Sequence, residues 1–209
     1  INSLAPIQIA KKCRELDIPF VHISTDYVFD GYKNSPYVET DSTNPLNYYG
    51  KSKLLAENEI LKLESRFIIL RTSWVFSEIK NNFPYKFLNV IKNNNFADVV
   101  HDQYGSPTPA IDIAKTCILI SNLLLKNKKI KNIYHYSGYP STNIYDYAQE
   151  IVKLSNIKVK LNKINSSNFP YKAIRPINSV LNCNSILKDF GIKRPVWKKS
   201  LKKIINNYT

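Results

Sequence analysis

Apolar positions in the chain follow two alternating patterns. From Leu4 to Leu16, Ile7, Ala10 and Cys13 step by three, which predicts a helix with one inward face. Ile18 to Ile23 is short and almost continuously apolar, the pattern of a buried strand. Asn44-Pro45 reads as the cap and first turn of a second helix, Leu46 to Glu64, with Ala56, Ile60 and Leu63 as its inner stripe. Phe67 to Leu70 is a second all-apolar strand. Helix, strand, helix, strand in this form predicts a parallel sheet covered on both faces.

Further on, helices are predicted over Phe83–Lys92, Ala110–Leu125, Asn143–Ser155, Ser185–Phe190 and Trp197–Ile205. Strands are predicted over Ala97–Val100 and Ile133–Tyr136, with Ile157–Leu161 a weaker candidate; Asp102 to Pro109 is a turn-rich crossing segment. Prolines crowd and loops lengthen after Ser137. The expected division is a main α/β domain over 1–137, with an excursion near 78–105, and a smaller lobe built mainly from 138–209.

Composition narrows the function. Apolar content of 44% and charged content of 22% suit a globular protein. No apolar run approaches the roughly 18 residues of a membrane span, and no signal peptide is evident. The net charge of +14 raises the question of an acidic partner. The basic residues are scattered, however, with clusters only at Lys126–Lys131 and Lys198–Lys203. The second cluster lies outside the stripe Trp197, Leu201, Ile204, Ile205 and Tyr208, as solvated lysines do. No nucleic-acid-binding signature accompanies them, so no nucleic-acid partner is expected. Cys13, Cys117 and Cys183 are far apart, which predicts free thiols and a reducing cytoplasm. His22, His101 and His135 each sit in or beside a strand-like run and are expected as strand residues, not metal ligands. The chain has no methionine and opens inside a helical pattern, which reads as a piece of a longer protein.

The candidate chemistry lies at the strand ends, where open parallel sheets bind their ligands. The first strand runs into Ser24-Thr25-Asp26-Tyr27 and the second into Arg71-Thr72-Ser73-Trp74. Tyr49 and Lys53, four residues apart, share one helical face. A free phenol titrates at about 10, and a neighbouring ammonium lowers that value toward useful acid–base chemistry. Thr25 would then give a carbonyl oxygen its second hydrogen bond. A YxxxK string alone is weak, since amphipathic helices produce it too.

The strings STDYVFDG, YVETDSTNPLNYYGKSKLLAE, LRTSWVF, DQYGSPT and RPINSVLN follow one another over nearly the whole chain. In that order they resemble the extended short-chain dehydrogenase/reductase family, and within it the dTDP-4-dehydrorhamnose reductase branch. The resemblance implies an incomplete Rossmann-like, doubly wound parallel sheet with a smaller α/β substrate-binding lobe. It implies Thr25, Tyr49 and Lys53 as the catalytic set, with Tyr49 and Lys53 also meeting the cofactor, NADPH or NADH. It places Asp26 and Tyr27 beside the sugar, Trp74 against the substrate, and Arg175 as a clamp on a nucleotide diphosphate. The implied reaction is reduction of dTDP-4-dehydro-L-rhamnose to dTDP-L-rhamnose by a cytoplasmic enzyme with no metal ligand set; a homodimer is the candidate assembly. One element of the family pattern is missing: none of the five glycines forms the G-x-x-G-x-x-G turn that holds a dinucleotide pyrophosphate. Two other readings stay open, a nucleotide-sugar epimerase or dehydratase and a non-catalytic regulatory relative.

Overall fold

A computed structural model describes residues 1–63, 65–126 and 132–208. Its elements run α1 (Leu4–Glu15), β1 (Phe20–Thr25), α2 (Tyr48–Leu61), β2 (Phe67–Thr72), β3 (Val75–Phe76), α3 (Phe83–Lys92), β4 (Phe96–Val100) and β5 (Tyr104–Gly105). They continue with β6 (Thr108–Pro109), α4 (Ala110–Leu125), β7 (Ile133–His135), β8 (Thr142–Asn143), α5 (Ile144–Ser155), β9 (Lys160–Ile164), α6 (Asn184–Phe190) and α7 (Trp197–Asn206).

The main sheet has the order β1-β2-β7 and is parallel throughout, with Phe20 opposite Phe67, Thr25 opposite Thr72 and Ile69 opposite Ile133. All six residues of β2 are buried, and the alternation of side chains along the strand divides them between two cores. Phe67 and Ile69 pack with Ile7 and Ala10 of α1 and Ala56 and Ile60 of α2. Ile68 and Leu70 pack on the other face with Ile113, Ile120 and Leu124 of α4. This is the two-sided parallel sheet that the continuous apolar strands predict.

A third core gathers Phe76, the α3 residues Phe87, Leu88 and Ile91, Ala97 and Val99 of β4, Tyr147 and Ile151 of α5, and Trp197, Leu201 and Ile205 of α7. Its small sheet pairs β4 with β9 in parallel. Leu181, Cys183 and Ile186, although late in the chain, pack in the main-sheet core with Tyr134 and Tyr136. The lysines at 198, 199, 202 and 203 are exposed around a buried Trp197, Leu201, Ile204 and Ile205. In the other lysine cluster, residues 127–131 lie outside the described residues, as does Glu64 at the predicted end of α2.

Several boundaries differ from expectation for local reasons. The first strand starts two residues late, because Ile18 is spent closing α1 (Ile18 N donates to Cys13 O at 2.8 Å) and Pro19 has no N–H. It runs on to Thr25 because β2 pairs with it that far. The second helix begins at Tyr48, not at the Asn44-Pro45 pair. Asn44 N is held by Val28 O at 2.9 Å, and Asn47 is the true cap, accepting from Gly50 N at 2.9 Å. The weak strand candidate moves to Lys160–Ile164, where β4 supplies its partner. The two-residue strands β3, β5, β6 and β8 have no periodicity to read.

His22 and His135 are buried strand residues. His135 Nδ1 lies 3.1 Å from Tyr37 O and its Nε2 lies 3.4 Å from Arg71 Nη1. Because a guanidinium only donates, Nε2 accepts and Nδ1 carries the proton, so the ring is neutral. Burial, followed by the Arg71 charge, moves its pKa from 6.5 to about 3. Between those values the unfolded chain binds a proton that the folded chain excludes, so stability falls as pH drops below 6.5. Urea unfolding across that range will show a shallower acid loss in His135→Gln than in the parent chain.

Candidate active site

The polar cluster after β1 and the start of α2 are pressed together at one glycine. Any side chain at Gly50 would run into the Tyr27 carbonyl and Pro45. Its absence lets the first turn of α2 lie directly on the Asp26–Val28 turn, which carries Tyr49 to Thr25. Thr25 Oγ1 donates to Asp26 Oδ1 at 2.9 Å and accepts from Tyr27 N at 3.2 Å. The Tyr27 and Tyr49 rings meet edge to face with centroids 6.0 Å apart.

The ionisation states differ from the simple expectation of an ammonium-lowered phenol. Burial raises the Tyr49 phenol above its ordinary value; its hydrogen bond with Thr25 opposes this, and Asp26 adds to the rise. Lys53 does not counter it, because the ammonium turns the other way. Lys53 Nζ donates to Ile23 O at 2.5 Å and lies 3.4 Å from His22 Nε2. Burial lowers the Lys53 pKa, while Glu57 one turn further along α2 raises it. His22 is driven to about 4 by burial and then by Lys53, so it stays neutral beside the ammonium.

Beneath the site, Glu57 and Arg71 form a buried ion pair between α2 and β2. Arg71 Nη2 donates to Glu57 Oε2 at 2.6 Å, and Nε lies 3.1 Å from each carboxylate oxygen. The guanidinium also stands over the Phe29 ring, 5.1 Å from its centroid.

The other predicted residues line a neighbouring cleft of about 180 Å³, walled by Tyr27, Trp74, Phe83, Gln103, Tyr147 and Arg175 among others. Trp74 has a left-handed backbone (φ 44°) after β2, and its ring fills the space that a side chain at Gly105 would need. The ring lies 6.3 Å from that of Tyr147, nearly parallel to it. The Arg175 guanidinium stands over the Tyr171 ring at 4.1 Å, and the residue also lines the cleft. Thr25, Asp26, Tyr27, Tyr49 and Lys53 therefore form one group and Trp74 and Arg175 another, with Tyr27 bridging them.

Asp26 is the residue whose position departs most from expectation: it is 2% exposed and lies beneath Thr25, away from the cleft wall. Tyr147, Phe83 and Gln103 carry no signal in the sequence that marks them as cleft residues. Tyr147 in particular, with Ala148 and Ile151, reads as ordinary helix core, yet its hydroxyl is buried without a partner at the cleft wall.

A parallel α/β sheet with a hydroxyl, a tyrosine and a lysine gathered at its strand ends defines an extended short-chain dehydrogenase/reductase. The RmlD substrate binding domain model matches residues 1–209, and the chain belongs to that family. It is 42% identical over 192 residues to the dTDP-4-dehydrorhamnose reductase of Aggregatibacter actinomycetemcomitans, covering 88% of this chain and 65% of that protein. The crystal structure of a dTDP-4-dehydrorhamnose reductase from Clostridium acetobutylicum superposes with a TM-score of 0.92 at 35% identity, covering 100% of this chain and 72% of the other. The Bacillus anthracis reductase, solved in complex with NADP, gives 0.89 at 29% identity, covering 99% and 72%. The chain thus spans 65% to 72% of the length of these relatives.

Removing one member of the Glu57–Arg71 pair strands a buried charge, whereas replacing both removes the problem. Glu57→Gln is expected to cost about 3–5 kcal/mol of unfolding free energy in urea, and Glu57→Leu/Arg71→Met much less than that.

Proposed function

We propose that the chain carries the catalytic half of a reductase that converts dTDP-4-dehydro-L-rhamnose to dTDP-L-rhamnose with NADPH or NADH. The observation that carries this reading is the Thr25–Tyr49 pair at the carboxyl end of β1, with Lys53 one turn along the same helix face. The raised phenol pKa suits this direction of reaction. A Tyr49 that stays protonated at neutral pH is a donor, and reduction of a ketone needs a proton delivered to the carbonyl oxygen.

The residues fit the nicotinamide and ribose end of such a cofactor. Ser24 Oγ and Thr72 Oγ1 are buried at the ends of β1 and β2 without hydrogen-bond partners, so polar capacity remains there for a ligand to use. Lys53 and Tyr49 would hold the ribose. When bound, the cofactor supplies the hydride. Lys53, by leaving the Ile23 carbonyl, would orient that end and place its charge nearer the phenol.

The cleft between Tyr27 and Tyr147 would take the nucleotide sugar. Trp74 offers an aromatic face, and Arg175 offers a guanidinium to the diphosphate. In this reading the Phe76–Ile205 core is the substrate lobe and the β1-β2-β7 sheet belongs to the cofactor domain. The three cysteines are free, which suits a reducing cytoplasm. Among the described residues no helix is long and apolar enough to cross a membrane.

The test is NADPH oxidation in the presence of the 4-keto sugar nucleotide. Tyr49→Phe should lower kcat by about 100-fold or more with little change in KM, since the phenol acts in the transition state more than in binding. Undiminished turnover in that variant would remove Tyr49 from the role.

A further inference from the structure

The ammonium of Lys53 has three N–H donors and no acceptor. One goes to Ile23 O at 2.5 Å, and a second meets His22 Nε2 at 3.4 Å. Both acceptors belong to consecutive residues of β1. Side chains alternate along a strand, so Phe20, His22 and Ser24 share one face. It is the face that α2 covers, since Phe20 packs there with Ala56 and Ile60. The His22 ring is buried on it, near-parallel to the Phe20 ring with centroids 6.2 Å apart. A ring clamped in this way presents Nε2 to the lysine in a fixed direction.

We propose that His22 is a positioning residue for Lys53: its unprotonated Nε2 and the Ile23 carbonyl form a two-point seat that holds the ammonium on β1, in exchangeable form, beside the phenol that it serves. This deepens the proposed reductase reading and rests on it, because there Lys53 has to leave Ile23 to meet a ribose.

The type of side chain at position 22 follows from that demand. A carboxylate would bind the half-buried ammonium as an ion pair and keep it in place. An apolar side chain would leave the lysine with the carbonyl alone. A neutral imidazole gives one further hydrogen bond, which another acceptor can replace. Because an ammonium only donates, Nε2 must keep its lone pair and Nδ1 must carry the proton. Burial, followed by the Lys53 charge, moves the His22 pKa from 6.5 to about 4, so the ring goes on accepting through the neutral range. Burial also works against the Lys53 charge, while Glu57 supports it. The charged groups acting on the pair are thus Lys53 itself and Glu57.

The experiment uses the 209-residue chain. Long-range ¹H–¹⁵N spectra read the histidine tautomers, and ¹³C label at lysine Cε reads the protonation of each ammonium. His22 should hold its proton on Nδ1 and titrate at about 4. Lys53→Met should undo the fixed tautomer and raise the His22 midpoint. In His22→Leu the deprotonated fraction of Lys53 at a given pH below its midpoint should rise about tenfold, the effect of losing one hydrogen bond to a charged group. His22→Gln, whose Oε1 can stand in for Nε2, should restore the parent behaviour. A His22 that carries its proton on Nε2 or titrates near 6.5, or a Lys53→Met chain with an unaltered His22, would overturn the proposal. So would a His22→Gln chain that behaves like His22→Leu. The His22 readings stand even where His22→Leu fails to fold. None of them needs turnover, so absence of reductase activity would count against the proposed function and leave this test intact.

Discussion

The bond between Glu57 and Arg71 is the contact on which the site depends. Glu57 lies two turns beyond Tyr49 and one beyond Lys53 on α2, and Arg71 belongs to β2, the central strand of the main sheet. Two charges buried to this degree need each other, and the guanidinium's planar fork meets the carboxylate with two nitrogens. The pair therefore fixes the height and rotation of α2 against the sheet. That rotation aims Lys53 at the end of β1 and puts Tyr49 over Thr25. Arg71 also donates to His135 Nε2, which burial and then the Arg71 charge keep neutral, so the pair ties β7 into the same network.

Above this strut the site works by exclusion of water. Burial is the largest influence on His22, Asp26, Tyr27, Tyr49 and Lys53, and in each case it disfavours the charged form. A cluster that could carry several charges is instead pushed toward neutrality. In such a site, who donates to whom is decided by hydrogen-bond direction more than by charge. The cleft beside it is of another kind. Its aromatic walls and the Arg175 guanidinium suit recognition of a flat, charged ligand, and Tyr27 is the side chain that belongs to both.

Much of this is legible in the order of residues alone. The alternation of helical and continuous apolar segments announces the two-sided parallel sheet, and β2 is buried on both faces as its composition requires. The strand ends are marked by Ser24-Thr25-Asp26-Tyr27 and Arg71-Thr72-Ser73-Trp74, and the Tyr49/Lys53 spacing puts both on one helix face. Less legible are features set by partners distant in sequence. The start of α2 depends on Val28 holding Asn44, and the position of the last strand on β4. Tyr147 looks like helix core and is core, yet its hydroxyl also reaches the cleft wall.

The sequence by itself determined the class of fold, the approximate place of each long element and the residue types of the site, because periodicity and strand-end chemistry are local properties. Only the tertiary structure decided their states. That Lys53 faces Ile23 and not Tyr49, that the phenol is raised and not lowered, and that Asp26 lies sealed beneath Thr25 all follow from burial and from hydrogen-bond partners. Those are properties of the packed molecule, which spacing along a chain cannot express.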